Sequence, residues 1–300
     1  MTTPPEARVV AQNVVALYAA PDADSEMVSQ AVSGDRVTVV EEQGGFSHVA
    51  TPDRYAGWAA AHALSRPVDD SDSPTATVST LFADVFTAPD PRSEIITKLV
   101  VGTRVVLDRR AGPGDWVPLL LPGGGAGYAH RVGLSHTYGE AAGDLQAALG
   151  GGVRRQDLVA ALGRQAAQTA LRLVGTPYLW GGVTPFGIDC SGLTQLAYKL
   201  NGVQLLRDAH LQQNDRRFGG VEEGQGLDTA LLEDGDLVFF SRREDRRPTH
   251  VGMALGDGRF VHARGGLGVR VDDCGMTEYA ETYAGAIRLS PDADFAVESA

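Results

Sequence analysis

The hydrophobic and polar positions change period partway along the chain. In residues 1–136 the apolar positions come as short β-branched runs, such as Val37-Thr38-Val39-Val40 and Arg104-Val105-Val106-Leu107, bounded by Gly, Asp and Pro. Runs of this length, with turn residues roughly every ten positions, predict small all-β barrels. The pattern also repeats. The stretch "YAAPDADSEMVSQAVSGDRVTVV" (18–40) aligns with "FTAPDPRSEIITKLVVGTRVVLD" (86–108) at an offset of 68. Ala56-Gly57-Trp58 corresponds to Ala126-Gly127-Tyr128 at an offset of 70. Two domains follow, over 1–67 and 74–136, with the acidic stretch 69–73 (DDSDS) as linker.

Residues 137–156 are rich in Gly and Ala and read as a connector. Beyond them the period lengthens. Asp157 can cap a helix whose apolar positions Leu158, Leu162, Ala166, Ala170 and Val174 recur every four residues, until Gly175 and Pro177 end it. A second helix is predicted from Cys190, with Asp189 at its N-cap. Leu193, Leu196, Ala197 and Leu200 form its apolar face, and Asn201-Gly202 stops it. After residue 230 the runs 236–240 (DLVFF), 250–255 (HVGMAL) and 259–263 (RFVHA) read as strands. Gly256-Asp257-Gly258 joins the last two as a hairpin. Helices followed by antiparallel strands predict an α+β domain over 157–300.

A composition of 43% hydrophobic and 21% charged residues suits a folded chain of this length. The net charge of −12 argues against a nucleic-acid partner and against an anionic membrane surface, since both need basic patches. The densest basic stretch, Arg242-Arg243 with Arg246-Arg247, is interrupted by Glu244-Asp245 and reads as a solvated loop. Near the N-terminus, Pro4, Pro5 and Glu6 stand where a signal peptide needs basic residues and an apolar core, and no run of 18 apolar residues occurs. A cytoplasmic location is therefore expected, where a disulfide between Cys190 and Cys274 is not. Nothing in the sequence implies a cofactor or fixes an oligomeric state.

Cys190, in "GIDCSG" (187–192), is the residue on which function turns. A cysteine in the first turn of a helix lies at the positive end of its dipole, where free N–H groups stabilise a thiolate or a developing oxyanion. Such chemistry needs an imidazole base. Of the seven histidines (His48, His62, His130, His136, His210, His250 and His262), two lie on the hairpin. A three-residue turn at 256–258 sets His262 opposite Gly252 and puts His250 on the same face, whereas a two-residue turn would place the two histidines on opposite faces. The first register makes His250 a base and His262 its orienting partner. A small buried cysteine remains an alternative, as does zinc on Cys and two His, although neither CxxC nor HxxxH occurs. Cys274 follows Asp272-Asp273 in a predicted turn and has no partner motif.

The segments "GTPYLWGGVTPFGIDCSGLTQLAY" (175–198), "GDLVFF" (235–240) and "HVGMALGDGRFVHA" (250–263) resemble the NlpC-type peptidases, papain-like enzymes that cut bacterial cell-wall peptides. The two N-terminal copies resemble bacterial SH3-like domains, modules that bind cell-wall peptides or orient a neighbouring catalytic domain. The resemblance implies Cys190 as nucleophile, His250 as base, His262 as orienting residue and Tyr178 as a helper at the oxyanion. Trp180 reads as aromatic packing in its own "PYLWGG" loop. Two SH3-like domains before such a domain look like the γ-D-glutamyl-L-diamino acid endopeptidases of murein recycling. These act in the cytosol on tripeptides or tetrapeptides beginning with a free L-Ala, and cut after γ-D-Glu. In that group the positions matching Asp189, Ser191 and Asp208, the last in "LLRDAHLQQ" (205–213), hold the substrate's amine and backbone. Glu26 and Tyr55 match the acid and tyrosine that close the pocket around L-Ala. Ser93-Glu94 repeats Ser25-Glu26, which also points to a structural use of the pair. His210 departs from the pattern by its bulk. Two other functions fit the same residues: cell-wall peptide binding without turnover, and a thiol amidase or acyltransferase acting on another amide or a lipid.

Overall fold

The structure is a computed structural model that describes residues 6–67, 73–135, 152, 154–221 and 227–293. The linker expected at 69–73, apart from Ser73, and most of the connector expected at 137–156 lie outside the described residues. The chain divides into two compact units, 1–138 and 139–300.

The first unit contains two seven-stranded antiparallel sheets. The first is built from β1 (Glu6–Val10), β2 (Val14–Tyr18), β3 (Met27–Val32), β4 (Arg36–Gln43), β5 (Phe46–Ala50), β6 (Ala56–Ala60) and β7 (Leu64–Ser65). The second contains β8 (Thr75–Val78), β9 (Phe82–Phe86), β10 (Ile95–Val100), β11 (Arg104–Leu107), β12 (Trp116–Leu121), β13 (Gly125–His130) and β14 (Leu134–Ser135). Their strand orders, β3-β2-β6-β5-β4-β1-β7 and β10-β9-β13-β12-β11-β8-β14, are the same order shifted by seven strands. Alternate residues point inward. Val10, Val15, Leu17, Val37 and Val39 fill one core, and their counterparts 68 residues on, Val78, Ala83, Val85, Val105 and Leu107, fill the other. Phe46 pairs with Ala60 and Trp116 with His130, so the offset has become 70 by β12, and the two extra residues lie between β11 and β12.

In the repeated Ser-Glu pair the serine side chain and the glutamate backbone carbonyl have a structural use. Ser25 Oγ donates to the Asp22 carbonyl (2.7 Å) and Ser93 Oγ to the Asp90 carbonyl (2.8 Å). The Glu26 and Glu94 carbonyls accept from Ala19 N–H and Thr87 N–H and close the same turn.

The second unit contains α1 (Arg155–Leu171), the short pair β15 (Val183–Thr184) and β16 (Gly187–Ile188), α2 (Cys190–Lys199) and α3 (Ala209–Gln213). Its six-stranded antiparallel sheet contains β17 (Phe218–Gly220), β18 (Leu237–Phe240), β19 (His250–Ala254), β20 (Arg259–Arg264), β21 (Gly268–Asp273) and β22 (Tyr283–Leu289), in the order β17-β22-β18-β19-β20-β21, with α4 (Thr277–Ala280) before the last strand. All four residues of β18 are buried, as are the middle residues of β19 and β20. The unbroken apolar run "LVFF" follows from that, because both faces of the central strands are covered. One face packs on α2, and the other holds Val238, Phe240, Phe260, Cys274 and Tyr279.

Two expectations differ in the structure. α1 starts at Arg155 with Arg154 at its N-cap, and Asp157 pairs with Arg154 (2.9 Å) instead of capping. Val174 lies beyond the helix and is 50% exposed. The turn expected at Cys274 is present at Cys274-Gly275, and Asp272 and Asp273 end strand β21 just before it.

Candidate active site

Cys190 opens α2 because Asp189 stops the chain from being helical one residue earlier. Asp189 is extended (φ −94°, ψ −179°), and its Oδ1 accepts the Gly192 N–H at 2.7 Å. The close fit of this turn needs glycine: a Cβ on Gly192 would lie 2.2 Å from the Gly182 carbonyl oxygen. The carboxylate of Asp189 is saturated from within the chain. Gly181 N–H donates to Oδ2 (2.9 Å), Ser191 Oγ to Oδ1 (3.3 Å), and Arg207 to both oxygens, from Nη1 (3.0 Å) and Nη2 (2.6 Å). Arg207 Nη1 also donates to Ser191 Oγ (2.9 Å). Arg207 is 2% exposed. Gln212 fastens α3 to the same turn, donating to the carbonyls of Ser191 (3.0 Å) and Leu206 (2.9 Å).

The thiol of Cys190 is free and buried, and accepts from the N–H groups of Val251 and Ser191. Val251 is the residue after His250, so the sulfur lies against the start of β19. The hairpin has the register that brings its histidines together: Met253 pairs with Val261 and Ala254 with Phe260. Gly252 then lies across from His262, and a Cβ there would meet the Phe260 ring at 2.4 Å. His250 Nε2 and His262 Nδ1 are 2.7 Å apart, and His262 Nε2 is 3.1 Å from Asp272 Oδ2. Tyr279 donates its hydroxyl to the same Asp272 oxygen (2.9 Å), and Arg270 Nε donates to the other (2.7 Å).

One proton arrangement satisfies this chain of groups while leaving His250 Nδ1 a lone pair. His250 Nε2–H donates to His262 Nδ1, and His262 Nε2–H donates to the Asp272 carboxylate. Asp272 therefore fixes the tautomer of His262, and through it that of His250. Burial pushes Asp272 up, but hydrogen bonds from Tyr279, His262 and Arg270 outweigh it and leave the carboxyl below its ordinary value.

Electrostatics at the sulfur differ from the expectation for a helix start. Burial pushes the Cys190 thiol up to about 12, and the Asp189 charge adds to this. The Val251 and Ser191 N–H groups and Arg207 only partly offset it. Burial likewise pushes His250 down to about 3, helped by His262 and Arg264. The resting pair is therefore neutral thiol and neutral imidazole across the physiological range. Because the thiolate is the reactive form, alkylation of Cys190 by iodoacetamide is expected to be slow near neutral pH and to keep rising beyond about pH 9, the range of an ordinary thiol. Peptide mapping at each pH separates Cys190 from Cys274. A rate already at plateau near neutral pH would show a resting thiolate and overturn this reading.

The remaining expected residues are placed as follows. Tyr178 is half-buried and bridges to Ile188, and burial, aided by the Asp189 charge, keeps its phenol protonated. Asp208 is half-buried at the N-cap of α3. His210 Nε2 lies 2.7 Å from Arg247 Nη2, which ties α3 to the 241–249 loop. Trp180 does not pack into its loop as expected, since it is 58% exposed. Glu26 is exposed and Tyr55 half-buried, both in the first unit. Asp272 and Arg207 were not expected among the site residues. The Arg-Asp pair in "LLRDAHLQQ" was the only sequence signal for either. Among the described residues no group of three or more His, Cys, Asp or Glu side chains could hold a metal ion.

A cysteine at a helix start, against a histidine pair carried on the central strands of an antiparallel sheet, defines a thiol hydrolase site of papain-like arrangement. The comparisons with known proteins give the family. Residues 175–288 match the NlpC/P60 family, and residues 17–64 match the bacterial dipeptidyl-peptidase Sh3 domain. A dipeptidyl-peptidase 6 from Lysinibacillus sphaericus is 32% identical over 272 residues, covering 85% of this chain and 87% of that protein. A γ-D-glutamyl-L-lysine dipeptidyl-peptidase from Bacillus cereus is 26% identical over 285 residues, 89% of this chain and 76% of that protein. The crystal structure of an NlpC/P60 family protein from Bacillus cereus shares the fold, with a TM-score of 0.74 at 22% identity over 95% of this chain and 99% of that one. The chain belongs to the NlpC/P60 family of peptidases, with an SH3-like all-β region ahead of the peptidase domain. Among the described residues no helix is long and apolar enough to cross a membrane.

Proposed function

We propose that the chain is a cysteine endopeptidase that hydrolyses the γ-D-Glu–diamino acid bond of murein tripeptides or tetrapeptides with a free N-terminal L-Ala, in cytoplasmic recycling of cell-wall peptides. The observation that carries the chemistry is the sulfur of Cys190 lying on the Val251 N–H, next to a histidine whose far nitrogen is held by His262 and Asp272. In this reading His250 Nδ1 takes the thiol proton as the sulfur attacks the γ-carbonyl carbon. N–H groups at the start of α2 and the Tyr178 hydroxyl stabilise the oxyanion. The C–N bond breaks as His250 returns the proton to the leaving amine. Water, deprotonated by His250, then cleaves the thioester and regenerates the thiol.

The names of relatives support the substrate class, two being γ-D-glutamyl-L-lysine dipeptidyl-peptidases. Asp189 and Ser191 are committed to Arg207, so of the residues expected around the L-Ala amine, Asp208 is assigned the direct contact in this unit. Asp189 and Ser191 set the shape of the turn. The role expected of Glu26 and Tyr55 stands on the resemblance alone, as do the domain limits 1–67, 74–136 and 157–300.

The test is digestion of L-Ala-γ-D-Glu-meso-diaminopimelate, with and without an acetyl group on L-Ala, followed by mass spectrometry. Release of L-Ala-D-Glu from the free peptide, with the acetylated peptide cut at least about tenfold more slowly, is expected from loss of one charge-assisted contact. No release from either peptide would remove the proposal. Equal cutting of both would remove the amine-recognition part.

A further inference from the structure

Beside the histidine pair lies a cavity of about 190 Å³ whose wall includes Tyr178, His250, Ser241, Arg242, Arg264 and Glu278. Its position relative to the chemistry follows from His250. The imidazole must reach the leaving nitrogen, so the residue that supplies that nitrogen occupies the space His250 itself lines.

The charges around this space are unequal. Arg264 and Glu278 form a bidentate pair, Nη1–Oε1 and Nη2–Oε2 both at 3.0 Å, and so neutralise each other. The basic loop expected to be simply solvated is mostly tied down. Arg243 pairs with Asp245 (3.0 Å), Arg246 donates to the Tyr283 carbonyl, and Arg247 meets His210. Arg242 is different: it is exposed and lines the cavity. Among the described residues it makes no side-chain hydrogen bond or ion pair. The cavity therefore presents one uncompensated guanidinium, with the outer lone pairs of the Glu278 carboxylate a short way along the same wall.

We infer that this cavity receives the amine-side residue of the cleaved bond and selects, through Arg242, a diamino acid whose side chain ends in a second carboxylate. The inference rests on the proposed endopeptidase activity and deepens it. Because Arg264 and Glu278 cancel, a lysine side chain would bring its ammonium towards the uncompensated charge of Arg242. A side chain ending in both an ammonium and a carboxylate, as in diaminopimelate, answers both signs. Its carboxylate meets the Arg242 fork and its ammonium meets Glu278.

Three peptides test this, each beginning L-Ala-γ-D-Glu: one ending in meso-diaminopimelate, one in its distal carboxamide, one in L-lysine. The carboxamide keeps the shape and removes only the charge. Wild type is expected to cut the first with kcat/KM about tenfold above the other two, the effect of one charge-assisted contact at a partly exposed site. Arg242→Glu should abolish or reverse that ratio. Arg242→Gln, which removes the charge without adding one, should bring it close to unity. Unchanged unfolding midpoints in both variants would place the effect in recognition. Equal cutting of all three peptides by wild type, a preference for lysine, or a ratio unchanged in both variants would overturn the inference and leave the endopeptidase activity standing. If none of the three is cut, the endopeptidase proposal fails and this inference fails with it.

Discussion

Cys190→Ala is expected to lower hydrolysis of L-Ala-γ-D-Glu-meso-diaminopimelate by about 10⁴-fold or more while leaving the fold intact. The size follows from removal of a nucleophile, which leaves only oxyanion stabilisation and binding to act on the amide. Intact folding follows from the surroundings. The side chain is small and buried, and the sulfur's partners, the Val251 and Ser191 N–H groups, are backbone donors fixed by β19 and α2. Losing one buried sulfur costs roughly 1 kcal/mol, well within the stability of a domain this size. Turnover of the peptide and a thermal melt on the same sample check both halves. Retained turnover would move the reaction away from Cys190. A large loss of stability would make the activity result uninformative about chemistry, and Cys190→Ser, nearly isosteric, then carries the test.

Arg207→Ala is expected to have the opposite signature, a loss of stability of about 3–5 kcal/mol. The guanidinium is almost wholly enclosed, with 1% of its side chain exposed, and supplies two of the five hydrogen bonds on Asp189 and the one on Ser191 Oγ. Without it the carboxylate keeps the Gly181 and Gly192 N–H groups and Ser191 Oγ but loses its counter-charge in a site where only 8% of the Asp189 side chain is exposed. Asp189→Asn in the same chain should restore part of the loss, because the amide needs no counter-charge. The measurement is the urea midpoint of the single and double variants, with an unchanged slope showing that stability alone has moved. A single variant within about 1 kcal/mol of wild type would show that the pair is a surface-like contact and that α2 is anchored by something else.

These two expectations draw on different parts of the sequence. Cys190 was readable because its signals are local. An N-cap acid, an apolar face at helical spacing and a Gly-rich approach all lie within twenty residues of it. The two β-rich copies were readable for a similar reason: repetition at an offset of 68 makes each copy evidence for the other, and the structure gives both the same strand order. The helix before the site was less exact. Positions spaced by four drift by about 40° per step against the 3.6-residue turn, so Leu158 and Val174 stand about 160° apart around the axis. The face that is buried instead holds Val159, Leu162, Ala166, Ala167 and Ala170.

Asp272 and Arg207 show what local reading could not supply. The pair Asp272-Asp273 does not read as strand, because two adjacent acids disfavour a buried one. It becomes strand because β21 pairs with β20, and that register sets Asp272 opposite Phe260, two positions from His262. Arg207 looks like a solvated cation, since an arginine is seldom enclosed without a partner. Its partner is 18 residues away across a loop, and only the folding of α3 onto α2 brings the two together.

By itself the sequence determined the succession of two β-rich copies and an α+β peptidase domain, the start of α2 at Cys190, and the hairpin register that puts His250 and His262 on one face. Those features rest on periodicity, capping and turn length, which act over a few residues. Only the tertiary structure decided which acid ends the histidine relay, which cation neutralises Asp189, and how far burial raises the thiol. Each of these depends on the distance between side chains remote in sequence and on how completely water is excluded around them.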